Sequence, residues 1–337
     1  MVILVTGGLG YIGCHTVVEL LNSNFEVIIV DNLVNTNVKV LDQLKVLSNK
    51  QPVFYQVDIN DYAQLSKVFE LHAIDGVIHF AALKAVGESV NQPMAYYKNN
   101  VHGSMVLFQV MQQHQVKKIV FSSSATVYGN SAAVPIIEDS PLKPTNPYGW
   151  SKFMIEQMLR DMYAADKTWS IALLRYFNPV GAHSSGLIGE CPNGTPNNLM
   201  PYITQVAIGR RQQLNIYGND YPTHDGTGVR DYIHVVDLAR GHLQALNYFI
   251  KHPHELLALN LGTGIGYSVL DVVKAFEIAS GRIIKHCYVA RREGDSAICY
   301  ANPSLAEKLL GFKTHYTLEE MCRDSWNFQL KNPNGYI

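Results

Sequence analysis

The run Val2-Ile3-Leu4-Val5-Thr6-Gly7-Gly8-Leu9-Gly10-Tyr11-Ile12-Gly13 decides the architecture of this chain. Its first residues are apolar and mostly β-branched and read as a buried strand, and Cys14 to Leu21, after the last glycine, reads as a helix. Glycines at 7, 10 and 13 between strand and helix permit a tight turn, close approach of backbone to a pyrophosphate, and close packing of helix on strand. The helix start also presents free N–H groups and the positive end of its dipole. Taken alone, such a loop also fits an ordinary turn. Its setting argues for a ligand, because Asp31 closes the second apolar run 18 residues after Gly13. A carboxylate there accepts bonds from ribose hydroxyls and repels a 2′-phosphate, which favours NAD over NADP. Asp58, after the third run, is a further candidate, for the adenine amino group.

Working outward, apolar runs recur at Val2–Thr6, Val27–Val30, Val53–Val57, Val77–Phe80, Ile119–Phe121 and Ile171–Leu174, with amphipathic stretches between them. This alternation implies an α/β fold with a doubly wound parallel sheet of Rossmann type, because crossover helices bury both faces of the strands. Beyond Arg175 the texture changes to Gly, Pro and Asn, from Asn178 through Asn198. That change marks the entry to a smaller C-terminal lobe. Tyr232 to about Leu261 reads as helix then strand and returns to the first domain. The expected division is residues 1–176 with 232–262 for the cofactor, and 177–231 with 263–337 for the substrate. Leu261-Gly262-Thr263-Gly264-Ile265-Gly266 mimics a second dinucleotide loop, but no acidic residue ends a suitably spaced strand after it. It is read as a turn, with Ser268 capping the next helix. The stretches Tyr96–Gln115 and Trp150–Tyr163 are apolar on several faces, as expected of core or of the surfaces of a homodimer.

Apolar residues make up 47% of the 337-residue chain and charged residues 16%, and 27 basic residues balance 28 acidic ones. That composition suits a globular enzyme and disfavours nucleic acid and anionic membrane as partners. The five cysteines are scattered, so neither a disulfide framework nor a metal site is expected. No signal-peptide pattern or membrane-length apolar stretch is read, and a cytoplasmic location is expected. His79, inside an apolar strand, is read as packed rather than catalytic.

The spacing Tyr148-Gly149-Trp150-Ser151-Lys152 places a phenol and an ammonium one helical turn apart on one face. An ammonium near the phenol, with a positive nicotinamide ring close by, is expected to pull the tyrosine below its usual value of about 10 and make it a general base. With 19 tyrosines and 17 lysines accidental matches are expected, and Tyr163 and Lys167 form one. Tyr148 is set apart by Pro147, which starts its helix, and by Ser122-Ser123-Ser124 at the end of a strand upstream. Tyr163 lies about 22 Å further along the helix and cannot serve the same nicotinamide.

Gly7, Gly10, Gly13, Ser124, Tyr148 and Lys152 together resemble the extended short-chain dehydrogenase/reductases. More narrowly, His79 to Ser89, Tyr176 to His183, Asn197 to Tyr202, Gly228 to His234 and Arg291 to Asp295 resemble the UDP-glucose 4-epimerase (UDP-galactose 4-epimerase) family, over essentially the whole chain. Trp150 departs from the lysine common at that position, which should face away from the substrate. The resemblance implies NAD contacts at Tyr11, Ile12, Asp31, Asn32, Leu33, Val34, Asn35, Thr36, Asp58, Ile59, Phe80, Ala81, Ala82, Leu83, Lys84, Asn99, Ser124, Tyr148, Lys152 and Phe177. It also implies nucleotide-sugar contacts at Lys84, Ser124, Tyr148, Asn178, Asn198, Asn215, Ile216, Tyr217, Arg230, Arg292 and Asp295. Two arginines suit a diphosphate, since each guanidinium donates two bonds to phosphate oxygens.

The implied reaction is oxidation of a UDP-sugar at C4 by NAD, rotation of the 4-keto sugar, and reduction on its other face. In that family the position of Cys299 lies near the sugar and holds a tyrosine or a smaller residue, so cysteine implies room for N-acetylated UDP-sugars as well; the alternative is that Cys299 is simply a small packed residue, with a neighbour such as Tyr300 filling the space. A nucleotide-sugar 4,6-dehydratase is the nearest rival. Such enzymes resemble one another in an Asp-Glu pair after the serine or threonine, where this chain has Ala125-Thr126. A non-enzymatic NAD sensor on the same fold is the other rival, and it would need no complete set of serine, tyrosine and lysine.

Overall fold

The computed structural model describes residues 1–131, 133–292 and 294–336. Its large sheet contains β1 (Val2–Thr6), β2 (Glu26–Asp31), β3 (Val53–Gln56), β4 (Gly76–His79), β5 (Lys118–Ser122), β6 (Ser170–Tyr176) and the strand Leu256–Leu261. Across the sheet the order is Leu256–Leu261, β6, β5, β4, β1, β2, β3, with every pairing parallel. Successive side chains take opposite faces, as the two-residue period requires. Ile3, Val5, Ile29, Ile78 and Val120 pack with the helices Tyr11–Asn22 and Val235–Lys251. Leu4, Ile28, Val77, Ile119 and Phe121 pack with Tyr62–Leu71, Gly103–Gln113 and Pro147–Ala165 on the other face. The expected doubly wound sheet is therefore present.

From β1 the chain moves outward through β2 and β3, then crosses back to lay β4 on the other side of β1. A crevice opens at such a reversal, beyond the carboxyl ends of the strands. Here the loops after β1 and β4 nearly touch: a Cβ on Gly7 would lie 2.7 Å from the Ala81 nitrogen.

The smaller lobe centres on the strand Val229–His234, which pairs with Asn178–Val180, Gly266–Ser268 and Ile298–Cys299. A separate pair joins Leu214–Tyr217 to His286–Val289. Two local readings change. Tyr232 to His234 belong to the strand, and the following helix begins at Val235, capped by His234 Nδ1 accepting from the Val236 N–H at 3.1 Å. The stretch from Tyr96 is not one regular helix, because a π-helical turn, Tyr97–His102, separates Pro93–Tyr96 from Gly103–Gln113. Ser268 caps the helix Val269–Ser280 in a reciprocal arrangement with Asp271. Among the described residues no helix is long and apolar enough to cross a membrane.

Candidate active site

Glycine is required at two points of the first loop. Gly7 has φ +67° while its N–H donates to the Val30 carbonyl at 2.8 Å, and a Cβ on Gly13 would sit 2.2 Å from the Gly7 carbonyl oxygen. The helix Tyr11–Asn22 starts at Gly10 with no capping side chain and no acidic residue in its first turn, so its N-terminal donors stay available to an anion. Asp31 is 8% exposed. One of its oxygens accepts from the Leu9 N–H at 3.1 Å and the other from the Leu33 N–H at 2.9 Å. Burial raises its pKa, and no cation pairs with it among the described residues. Each oxygen keeps a lone pair that a hydroxyl donor would satisfy.

These groups line a cavity of about 610 Å³, within the size range of ligand clefts. Gly7, Gly10, Tyr11, Ile12, Gly13, Asp31, Asn32, Val34, Asn35, Thr36, Ile59, Phe80 to Lys84 and Asn99 share its wall with Tyr148 and Lys152. The fit to a dinucleotide thus rests on a cradle with no space for a Cβ, open helix donors and an unpaired buried carboxylate.

The catalytic candidates hang from the helix Pro147–Ala165, which Asn146 caps by accepting from the Gly149 N–H at 2.9 Å. Lys152 Nζ donates to the Ser122 carbonyl at 2.8 Å and lies 6.0 Å from the centre of the Tyr148 ring. Asn100 ties this helix to the loop after β4: its amide donates to Ser151 Oγ and to the Leu83 carbonyl, and accepts from the Leu83 N–H. Ser124 Oγ accepts from the N–H and hydroxyl of Thr126 at 3.2 and 3.0 Å. Beside it, Ser123 donates to Glu156 at 2.6 Å, and Glu156 is paired to the buried Arg175. His79 is buried as a packed residue, bonded to Thr6 and Ser104, and burial lowers its pKa to about 3.

In the protein alone burial dominates, pushing the Tyr148 phenol well above its ordinary value and the Lys152 ammonium down to about 7. Activating the phenol therefore requires positive charge beyond that of Lys152.

Several expected contacts lie outside the cavity lining. Leu33 has φ +63° and turns its side chain onto the core. Asp58 accepts from Asn32 at 3.0 Å and from Asn60 at 2.8 Å, which fixes the loop that follows β3. Ser124 and Phe177 are absent from the cavity lining, and Asn178 begins the strand Asn178–Val180. Asn198 donates to Glu190 at 2.8 Å, and its neighbour Asn197 faces the cavity instead.

The remaining sugar-side residues gather separately on the smaller lobe. Arg292 bonds Asp295 at 2.9 Å and lies over the Tyr217 ring at 4.7 Å, and Arg230 reaches Asp295 at 3.9 Å. Asn215 and Ile216 share the Tyr217 strand. Cys299 is in register with Arg230 and packs on a cluster containing Val127, Tyr128 and Phe177. The histidines His252 and His254 stand at a chelating spacing, but one stacks on Tyr248 and the other bonds the Thr168 carbonyl.

Sequence reasoning missed Asn37, Glu190, Cys191, Asn193, Gly335 and Tyr336, all of which line the cavity. Glu190, Cys191 and Asn193 fall in the Gly-, Pro- and Asn-rich stretch Asn178–Asn198 and Gly335 in the turn Asn332-Pro333-Asn334-Gly335, and nothing in either indicated where it folds.

A dinucleotide cradle and a Tyr-x-x-x-Lys pair on one cleft define a short-chain dehydrogenase/reductase. The family model described as GDP-mannose 4,6 dehydratase matches residues 4–325. The chain is 58% identical over 339 residues to the UDP-glucose 4-epimerase of Haemophilus influenzae, with 100% of this chain and 99% of the relative covered. It is 56% identical over 336 residues to that of Bacillus subtilis, with 100% and 99% covered. The solved structure of UDP-glucose 4-epimerase from Bifidobacterium longum, in complex with NAD+ and UDP, superposes with a TM-score of 0.96 at 52% identity over the whole of both chains. The chain belongs to the UDP-glucose 4-epimerase family.

Proposed function

We propose that this protein interconverts UDP-galactose and UDP-glucose by NAD-dependent epimerisation at C4. The observation that carries the reading is that Tyr148 and Lys152 line the same cavity as Gly7, Gly13 and Asp31. NAD, when bound, supplies the hydride acceptor and donor at C4. Gly7 to Gly13 and the helix N-terminus would hold its pyrophosphate, and Asp31 its ribose. Tyr148 takes the proton of the sugar 4-hydroxyl, with Ser124 orienting that hydroxyl, and returns it after the 4-keto sugar has turned over. Lys152 keeps the phenol positioned and favours its ionised form. Arg230 and Arg292 anchor the diphosphate while the keto sugar rotates. Ala125-Thr126 supplies no acid and base for removing water across C5 and C6, which disfavours the dehydratase. Incubating the pure protein with UDP-galactose should yield UDP-glucose; bound NAD without turnover would leave the sensor reading instead.

Cys299 extends the reading to UDP-N-acetylglucosamine and UDP-N-acetylgalactosamine. The adjacent Tyr300 ring lies by Gly266, 3.4 Å from where a Cβ there would be, which supports the space beside Cys299 staying open. Cys299→Tyr should lower the N-acetylated activity by roughly ten- to a hundredfold while sparing the plain hexoses. Equal losses on both pairs would reject the gate.

We also read the protein as a cytoplasmic homodimer. Exposed Met105, Trp150 and Met154, on the helices Gly103–Gln113 and Pro147–Ala165, support a face covered by a second copy. A monomeric mass in sedimentation equilibrium would reject this.

A further inference from the structure

The cleft is bridged on its adenosine side by contacts for which the reaction above has no use. After the helix Leu318–Lys331 the chain turns through Asn332 to Gly335 and inserts Tyr336 beside Phe328, with ring centres 5.6 Å apart. The Tyr336 hydroxyl accepts from the Gly189 N–H at 3.1 Å and donates to the Gly189 carbonyl at 3.3 Å. Its backbone carbonyl accepts from Asn37 Nδ2 at 3.0 Å. Asn37 follows the Asp31 loop, so Tyr336 joins the ribose wall to the smaller lobe. The smaller-lobe segment itself crosses at two more places. Asn193 Nδ2 donates to the Val34 carbonyl at 3.2 Å, and Glu190 pairs with Lys84 at 2.9 Å.

Every residue in these bridges lines the cavity that holds Asp31 and Gly13. None is needed for proton transfer. The bridges cross the cleft beside Val34 and Asn37. Each bridge is weak on its own, worth a net hydrogen bond or less where solvent reaches it. They share one segment, Gly189–Asn193, and one aromatic anchor, Tyr336.

We propose that Gly189–Asn193, pinned by Tyr336, is a strap that retains the dinucleotide between turnovers. The inference rests on the NAD reading above. A strap of this kind slows release and entry alike, whereas a direct ligand contact changes release and leaves entry unaltered. Retention suits a cofactor that is regenerated within each cycle.

The test uses the full chain loaded with radiolabelled NAD, chased with excess unlabelled NAD and sampled by rapid gel filtration. Association is measured in parallel on stripped protein. Tyr336→Phe keeps the ring against Phe328 but removes both bonds to Gly189, and Asn37→Ala removes the bond to the Tyr336 carbonyl. Each variant should release NAD about five- to tenfold faster, and the pair together more, on the usual scale for a lost hydrogen bond. Association should quicken in step. Release within about twofold of the parent in both variants, with unchanged melting temperature, overturns the strap. Faster release with unaltered association also overturns it, because Tyr336 would then be a plain ligand contact. If Tyr336→Phe fails to fold, Asn37→Ala decides by the same criteria. An unaltered chain that takes up no NAD overturns the cofactor reading and the strap with it, so the two failures are told apart.

Discussion

On the cofactor side of the cleft Asp31, Tyr148 and Lys152 are each less than a tenth exposed, and each is fixed by backbone or by a helix. On the sugar side the Arg292 side chain is 54% exposed and Tyr217 41%; Arg292 is held by Asp295, and Arg230 donates to the Val229 carbonyl at 2.8 Å while reaching Asp295 at 3.9 Å. One wall grows from the ends of parallel strands, whose register leaves little freedom. The other is assembled from short strands and loops, held by side-chain ion pairs that solvent screens. The difference suits the chemistry. Proton transfer needs a phenol placed to fractions of an ångström, whereas a keto sugar that must turn over needs a diphosphate anchor and space around the ring.

Three measurements probe this contrast, the largest effect first. Tyr148→Phe should cut kcat by about 10²–10⁴ while NAD still binds, and Tyr163→Phe should change little. The Tyr163 hydroxyl bonds the His254 carbonyl near the surface and is absent from the cavity lining. Reversed results in steady-state assays of the two variants would assign the proton transfer wrongly.

The second measurement tests burial itself. Lys152 carries a folded-state pKa of about 7 against an ordinary 10.5, because burial penalises its charge. Below about pH 7 both folded and unfolded chains hold the proton, and the penalty is present in full. Between that value and 10.5 the unfolded chain binds a proton that the folded chain does not, so stability rises with pH through this window. Lys152→Met should therefore raise the melting temperature of cofactor-free protein at pH 7, and the gain should shrink toward pH 10. A gain that does not vary with pH would mean that Lys152 is not desolvated as the geometry indicates.

The smallest effect belongs to the exposed wall. Arg292→Ala should raise KM for the UDP-sugar by about tenfold and leave kcat within a few-fold, since a solvated guanidinium contributes modestly. A collapse of kcat at saturating substrate would show that the sugar wall is as preorganised as the cofactor wall.

The cofactor half was legible because its signals are local. A glycine at φ +67°, a carboxylate at a strand end and a phenol one helical turn from an ammonium are set by neighbours in the chain. The burial that raises the Tyr148 phenol was not legible, since it comes from enclosure by residues distant in the chain, with Tyr176 and Tyr96 beside it. The sugar half was read mainly through family resemblance. Arg230, Arg292 and Asp295 meet across up to 65 residues of chain, and no local period announces such a meeting.

By itself the sequence determined the alternation of strands and helices, the glycine cradle, the choice of Asp31 and the phenol–ammonium spacing, because each follows from backbone sterics or from a fixed period. Only the tertiary structure decided that Leu33 faces the core, that Asn197 rather than Asn198 faces the cavity, and that Tyr336 reaches Gly189 and Asn37. Those outcomes depend on contacts between residues as many as 299 positions apart, whose energies appear only once the sheet, the smaller lobe and the last turn have packed together.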